Sequence, residues 1–414
     1  MKRFNSTVGR IAIVASLVLF VVLWVGMVVA GVTGGETEYQ LTTLQPQGPF
    51  STLIDNLVAP VFIIAGVVFV GVLGAIFYII MKYREKGDPE LDLTPMPKQT
   101  HGHTAAEITW TAIPAAILAV VAVLTAITIL DLSAEEPDSV QVEVFGQQWW
   151  WGYRYDVNND GRFDSDSDVE TSTELVIPVG RPVQLSVTSN DVIHSFWIPA
   201  LNGKRDAVPG MVSPWKLQAD EPGVYRGQCT EFCGLSHANM RMLVRAIPAE
   251  DFDRWVADQQ KPAPEPVTEA EKAGLSEWKN NCGSCHLIDG VNNQQLAENP
   301  AALVSGIAPN LTHLMSRGTF AGSIYNLHYP NKVGNDQPFG ATCTRDTLAE
   351  CGDPADVALA GNPDNPVYRP ALEAWLRNAP AMKPMAPDQG RGMPNLGLTQ
   401  DQIDVIVAYL ETLK

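Results

Sequence analysis

Three long apolar runs constrain the fold of this chain more than any other feature. They cover residues 11–32, 57–83 and about 108–132. A helix needs about 20 apolar residues to cross a bilayer, and each run reaches that length. The second and third runs therefore predict a transmembrane helical hairpin within residues 33–135.

The first run leaves two alternatives open. Basic residues stand ahead of it at positions 2, 3 and 10, and the small-residue sequence VVAG follows near its end. This order is typical of a secretory signal peptide, although the apolar stretch is longer than usual. Residues 1–32 are therefore either a signal peptide or a first transmembrane helix.

The basic residues predict which side of the membrane the rest of the chain occupies. Lys82, Arg84, Lys86 and Lys98 all lie between the second and third runs. Loops rich in lysine and arginine stay in the cytoplasm, so everything beyond about Ser133 is predicted to lie outside it. The formal net charge of −18 also makes nucleic acid an unsuitable partner.

The cysteines fit an oxidising compartment. All six lie beyond Leu132 and form three close pairs: Cys229/Cys233, Cys282/Cys285 and Cys343/Cys351. Disulfides persist outside the cytoplasm. The third pair predicts a surface-loop disulfide, with two unpaired thiols as the alternative.

Two further domains are predicted after the membrane hairpin. Residues 136–250 contain short alternating strands separated by Pro-Gly turns, as in a β-sandwich or Greek-key barrel. Residues 251–270 are rich in proline and glutamate and are predicted to form a linker. Residues 271–414 are predicted to be helical, with Thr399 and Gln402 as a capping box before the last helix.

The sequence CTEFCGLSHANM places several metal-binding side chains in one loop. They are Cys229, Cys233, His237 and Met240. Thioether sulfur is a poor ligand for zinc, whereas thiolate, imidazole and thioether together favour copper. Two thiolates can bridge two copper ions, and the alternative is a disulfide between Cys229 and Cys233.

A second motif, CGSCH, predicts a covalently attached haem. Cys282 and Cys285 would bond the haem vinyl groups, and His286 would bind the iron. The alternatives are a thioredoxin-like pair or half of a zinc site. Met393 is the favoured sixth ligand because it lies in a Gly/Pro-rich loop before the last helix; the other candidates are Met382, Met385, His313 and His328.

These motifs closely resemble subunit II of the haem–copper cytochrome c oxidases, in the form with a C-terminal cytochrome c domain. The sequences that carry the likeness are EITWTAIP, GQQWWWGYRY, DVIHSFWIPAL, RDAVPGM, CTEFCGLSHANM and CGSCH. The likeness extends over nearly all of the chain beyond Leu57. It is weakest over about 327–366, where the chain carries an insertion with the third cysteine pair.

The resemblance implies a cupredoxin-like domain with a binuclear copper centre (CuA) and an all-α class I cytochrome c domain. The implied copper ligands are His194, Cys229, Cys233, His237, Met240 and the carbonyl group of Glu231. The Glu231 side chain would also face a magnesium ion shared with subunit I. The implied location is the plasma membrane of a prokaryote, with both redox domains on the extracytoplasmic side.

The resemblance also implies an electron-input role in oxygen reduction coupled to proton pumping. Partners would be subunit I, subunit III and a respiratory donor: a soluble cytochrome c, a cupredoxin or a quinol-oxidising complex. Trp149 would lie where electrons enter, and Glu107 at the mouth of a proton-uptake path. The residues themselves leave simpler roles open. Trp149, Trp150 and Trp151 alternate along a strand, so they cannot all face one core, and they could be a mixture of core residues and membrane-interface anchors. Glu107 could be a solvated helix cap.

Two smaller features have open interpretations. Residues Asp156–Asp164 match the first half of a calcium loop, but Ser167 stands where a bidentate glutamate is usual, and an ordinary hairpin turn is the favoured alternative. His101 and His103 either bind metal or lie solvated in a loop. The rival functions are a nitric oxide reductase subunit and an anchored electron carrier without a fixed enzyme partner.

Overall fold

The computed structural model describes residues 41–83, 101–163, 168–293, 307–328 and 366–414. The first apolar run, the Cys343/Cys351 pair and nearly all of the predicted insertion lie outside these ranges. The chain divides into two compact units. One comprises residues 52–134, and the other comprises residues 1–51 with 135–414.

Two long helices carry the second and third apolar runs. They are α1 (Pro49–Tyr83) and α2 (Thr104–Ser133). Among the described residues, these two are long and apolar enough to cross a membrane, as predicted for the second and third runs. His103 is the N-cap of α2, and its ring Nδ1 accepts the backbone N–H of Ala106 at 3.1 Å. His103 is thus a capping residue.

Ten strands follow the second helix. They are β1 (Val140–Gln147), β2 (Trp150–Tyr155), β3 (Val169–Ser172), β4 (Glu174–Pro178), β5 (Val183–Ser189), β6 (His194–Trp197), β7 (Lys204–Ala207), β8 (Ser213–Leu217), β9 (Gly223–Gln228) and β10 (Arg241–Ile247). They form sheets ordered β3-β2-β1-β5-β8, β4-β10-β9 and β6-β7. Every second residue of β5 is buried, as expected for a strand with one face on a core. The strands enclose one apolar cluster, which we call the β-domain core.

The predicted linker is partly helical. Helix α3 (Ala249–Gln259) covers its first half and carries Phe252 and Trp255 on its inner face. Both rings pack against Tyr155 of the β-domain core, at centroid distances of 6.3 and 5.2 Å. Burial of these aromatic rings stabilises the helix, which the proline and glutamate content of the segment did not indicate.

The described part of the C-terminal region contains three helices. They are α4 (Glu269–Asn281), α5 (Arg369–Met382) and α6 (Gln400–Leu410); β11 (Thr319–Phe320) and β12 (Tyr325–Asn326) pair with each other. The capping box of Thr399 and Gln402 is present as predicted. Helices α4 and α6 approach closely at Gly274, where a Cβ atom would lie 2.0 Å from the carbonyl oxygen of Val405. Only glycine fits there without moving one of the helices.

Hydrogen bonds join the C-terminal region to the β-domain. The Glu174 carboxylate, 3% exposed, accepts the N–H of Thr319 at 2.7 Å and its hydroxyl at 2.9 Å. Arg317 donates to Ser172 Oγ at 2.8 Å. Because unpaired polar groups are costly to bury, this pattern fixes how the two surfaces meet.

Candidate metal centre

Two loops bring the predicted metal-binding residues together. Cys229 and Cys233 lie in the loop between β9 and β10, whereas His194 begins β6. The two Sγ atoms are 3.8 Å apart, and His194 Nδ1 lies 4.0 Å from Cys229 Sγ. The cysteines are therefore free thiols, not a disulfide. All three side chains are buried, and their donor atoms could hold a metal ion.

The other predicted donors surround the same two sulfurs. His237 Nδ1 is 3.6 Å and Met240 Sδ 3.7 Å from Cys233 Sγ. The carbonyl oxygen of Glu231 is 3.3 Å from Cys229 Sγ, while the Glu231 side chain is exposed. The structure thus brings all six predicted donors together. Two sulfurs at the centre with one imidazole beside each is an arrangement suited to a sulfur-bridged pair of soft metal ions.

The surrounding groups orient the histidine and favour a thiolate. Asp191 Oδ1 lies 2.8 Å from His194 Nε2, so this carboxylate holds the ring with Nδ1 toward the sulfurs. Burial raises the pKa of Asp191, but the hydrogen bonds from His194 and from two backbone N–H groups outweigh it, and the net shift is downward. The contact with the Cys233 thiol lowers the pKa of Cys229 far below its ordinary value. Sequence reasoning missed Asp191, three residues before His194.

Trp149 contacts the same loop. Its indole Nε1 donates to the carbonyl of Cys233 at 3.0 Å, and Gln148 Nε2 donates to that carbonyl at 2.6 Å. Trp149 is 4% exposed, Trp150 9% and Trp151 0%. The three rings do not all face one core, as predicted: Trp149 and Trp151 belong to the β-domain core, whereas Trp150 does not.

A cavity of about 400 Å³ lies beside this centre. Cys282, Cys285 and His286 line it, directly after helix α4. The imidazole Nδ1 of His286 donates to the carbonyl of Pro309 at 2.7 Å, which leaves Nε2 without a proton and able to bind a metal. Burial lowers the pKa of His286, which keeps the ring neutral.

Two methionines line the cavity, and they belong to different apolar clusters. Met393 packs with the C-terminal helices, whereas Met385 packs against the β-domain core. Met385 Sδ already accepts the backbone N–H of Met393 at 3.0 Å. Met382 is buried and is not part of the lining.

The two histidine candidates for the sixth position bond elsewhere. His313 has Nδ1 2.8 Å from the carbonyl of Lys414 and Nε2 2.9 Å from that of Lys261. His328 Nε2 lies 3.0 Å from the carbonyl of Met315. Neither ring lines the cavity, so among the described residues Met393 is the candidate that combines a place in the lining with an available sulfur.

Three polar groups in the cavity wall were not predicted. Trp278 Nε1 and Arg317 Nε are buried without a hydrogen-bond partner among the described residues. Lys383 is 3% exposed and donates to the carbonyls of Trp149 at 2.6 Å and Ala321 at 2.9 Å. The wall of this apolar cavity therefore presents hydrogen-bond donors without enough acceptors, as expected if it receives an acidic group.

The remaining predicted residues have simple local settings. Glu107 is exposed in the first turn of α2, where a carboxylate stabilises the helix dipole. The Asp156 carboxylate accepts the N–H groups of Asp160 at 3.1 Å and Gly161 at 2.8 Å, as in an ordinary turn. Asp164 and Ser167 lie outside the described residues. His101 is exposed in the segment before α2.

Comparison with known families gives two matches. Residues 37–126 match the family described as cytochrome c oxidase subunit II, transmembrane domain. Residues 140–247 match the family described as cytochrome c oxidase subunit II, periplasmic domain. The second range contains the thiol pair and the four donors around it.

Individual relatives agree with these matches. Cytochrome c oxidase subunit 2 of Alkalihalophilus pseudofirmus is 32% identical over 392 residues, which is 92% of this chain and 93% of the relative. The subunit 2 of Bacillus sp. strain PS3 is 30% identical, covering 80% of this chain and 79% of the relative. A crystal structure of the periplasmic domain of subunit II from Bradyrhizobium japonicum is 29% identical, with a TM-score of 0.27 over 30% of this chain and 96% of that one.

The relatives cover both of the units described above, and the family matches cover the helical hairpin and the strands that hold the thiol pair. The two apolar helices make it a membrane-anchored protein with a periplasmic domain. The chain therefore belongs to the cytochrome c oxidase subunit II family, and it is a subunit of a haem–copper terminal oxidase.

Proposed function

We propose that this subunit receives electrons from a respiratory donor, and that it does so with a binuclear copper centre at residues 136–250 and a covalent haem c at residues 271–414. The observation that carries this proposal is the convergence of four donor atoms on the Cys229 and Cys233 sulfurs. A single-copper or zinc site does not need two central thiols with a thioether and a carbonyl at their edges.

The donor set fits a pair of copper ions. Cys229 and Cys233 would bridge them, and His194 and His237 would each bind one. Met240 and the carbonyl of Glu231 would complete the two ligand spheres. The downward shift in the Cys229 pKa supplies one thiolate before any metal binds, and metal binding would displace the second proton.

The second cavity fits a haem. Its lining offers two thiols, a neutral imidazole with an available Nε2, and the thioether of Met393. Apolar side chains supply much of the remaining wall, and the unsatisfied donors Trp278 Nε1 and Arg317 Nε suit the carboxylates that a haem carries. The C-terminal region is accordingly a cytochrome c domain, with Met393 as the sixth ligand.

When bound, the haem and the copper pair would each carry one electron. The chain's own contribution is to hold the ligands rigidly in a buried place. The Asp191 bond orients His194, and the bonds from Trp149 and Gln148 to the Cys233 carbonyl fix the thiol loop. A rigid, dry ligand set lowers the rearrangement that accompanies electron transfer and tunes the potential.

The copper loops also suit contact with a partner subunit. Val192 and Ile193 beside His194, and Phe232 and Leu235 in the thiol loop, are exposed apolar side chains. Exposed apolar patches of this kind mark interaction sites. We assign this surface to subunit I, where oxygen is reduced and protons are pumped, with magnesium at the Glu231 side chain and proton uptake beginning near Glu107. Subunit III and a prokaryotic plasma membrane complete the proposed setting.

The two rival functions, a nitric oxide reductase subunit and an electron carrier without a fixed enzyme partner, predict different properties for the intact complex. Purification of the intact complex distinguishes all three. Co-purification with a large polytopic subunit rules out the free carrier, and oxygen consumption set against nitric oxide consumption separates the two enzymes.

The cofactor assignment has its own test. The purified complex should contain two copper ions for each copy of this chain, with an electron spin resonance signal in which one unpaired electron is shared by two copper nuclei. The denatured chain should retain one haem by mass spectrometry. Zinc, one copper, or a chain of unmodified mass would refute the respective assignment.

A further inference from the structure

The cavity beside the thiol centre contains an imbalance of charge. Lys383 and Arg317 are 3% and 4% exposed and line the cavity, yet neither forms an ion pair among the described residues. The sole carboxylate among the described lining residues is Asp191, which already bonds His194. The carboxylates of Glu174 and Glu170 partly balance Arg317, but burial lowers the pKa of Lys383 to about 7. The ammonium form of Lys383 is therefore costly unless a ligand in the cavity supplies a counter-charge.

The backbone of residues 321–323 leaves room for the Lys383 ammonium group. Ala321, Gly322 and Ser323 have positive φ values of 56°, 78° and 58° in succession. A Cβ atom at Gly322 would lie 2.8 Å from Lys383 Nζ, so a larger residue would displace the ammonium group. Positive φ values at residues other than glycine are unfavourable and persist only where the surrounding structure holds them. These values therefore indicate that the backbone is shaped around the Lys383 side chain.

We propose that Lys383 is the counter-ion of a haem propionate carboxylate. This rests on the proposed haem c, which would bring two carboxylates into the cavity that Lys383 and Arg317 line. Arg317 would offer Nε, the one nitrogen of its guanidinium group that has no hydrogen-bond partner among the described residues. Lys383 has three donor hydrogens, and the two carbonyl groups it contacts use two of them.

Lys383 also connects the cavity to the thiol centre. Its Nζ donates to the Trp149 carbonyl at 2.6 Å, and the Trp149 indole donates to the Cys233 carbonyl at 3.0 Å. Lys383 thus lines the proposed haem cavity and also contacts Trp149, which in turn bonds the proposed copper ligand Cys233. Lys383 is a positioning residue, because it acts through Trp149 and the haem carboxylate.

The charge of Lys383 has a measurable consequence. A buried cation beside the haem stabilises the reduced state, which carries one positive charge fewer than the oxidised state. In the intact complex, Lys383→Met and Lys383→Gln should each shift the haem reduction equilibrium at least tenfold toward the oxidised form, which is 59 mV for one electron. Lys383→Gln keeps a donor for the Trp149 carbonyl, so a purely structural role would leave its potential near that of the wild type. The control is Arg391→Met, which removes an exposed cation from the same cavity lining.

Redox-difference infrared spectra provide a direct readout, with the haem labelled with ¹³C at its propionate carboxyl carbons. The labelled bands should shift in both Lys383 variants and remain in place in Arg391→Met. A haem-loaded Lys383→Gln with the potential and carboxylate bands of the wild type would overturn the proposal.

The wild type alone supplies a second test, which remains if the variants do not assemble. Its labelled carboxylate bands should move on transfer to D₂O, because they accept hydrogen bonds from exchangeable N–H groups. Bands that do not move would refute the assignment. A wild-type chain without covalent haem would instead refute the haem proposal itself, so the two failures are distinguishable.

Discussion

Replacing Gly274 with alanine should separate helices α4 and α6. The added Cβ would lie 2.0 Å from the Val405 carbonyl oxygen, where ordinary contact begins near 3.4 Å. Since a backbone oxygen cannot rotate away, the helices must shift, and overpacking of this kind costs about 3 kcal/mol at the upper end of its usual range. Alanine is a better helix former than glycine by about 1 kcal/mol, so the expected net destabilisation is about 2 kcal/mol.

The assay is thermal unfolding of the purified complex, followed through the absorbance of the proposed haem c. The matched control is Ala273→Gly, at the exposed neighbouring position of the same helix, where only the loss of helix propensity of about 1 kcal/mol applies. The clash argument requires Gly274→Ala to lower the melting temperature more than Ala273→Gly does. An unchanged or raised melting temperature for Gly274→Ala would show that helix propensity outweighs the contact with Val405.

Three other predictions concern the two centres. Asp191→Asn should weaken copper binding about 10- to 100-fold in chelator competition, because His194 loses the carboxylate that orients it; equal affinities would refute this role. The folded-state pKa of Asp191 lies below its ordinary 3.8, so its contribution to stability is complete above that pH and is lost as the pH falls through the lower value. The acid unfolding curves of wild type and Asp191→Asn should therefore differ at neutral pH and converge below pH 3.8; a constant separation would contradict this. Met393→Leu should change the axial ligation of the haem in resonance Raman spectra while Met385→Leu preserves it, and the reverse result would assign the ligand to Met385.

The sequence predicted the sites where ligands are close along the chain. Cys229, Cys233, His237 and Met240 lie in one loop, and Cys282–His286 is contiguous, so spacing alone indicated their chemistry. Lys383 is 234 residues from Trp149 in the chain, and its significance lies in burial and in the absence of an ion pair among the described residues. No local pattern marks such a residue.

Contacts between distant parts of the chain were not predictable from local patterns. Trp149, Trp150 and Trp151 do not all lie in one core, as expected, but all three are buried. Trp149 and Trp150 also line the cavity together with residues of the C-terminal region, which alternation along a strand could not indicate. Likewise, the proline-rich composition after the strands did not reveal that Phe252 and Trp255 fasten a helix to Tyr155.

The burial of Trp149 has a consequence for the supply of reductant from outside. Its indole is 4% exposed and Lys383 holds its carbonyl, so a soluble protein cannot touch it while the C-terminal region is in place. Under the proposed electron-input role, external reductants would then dock on the C-terminal region. A substitution that impairs docking there would lower turnover, because the β-sheets would offer no second docking site.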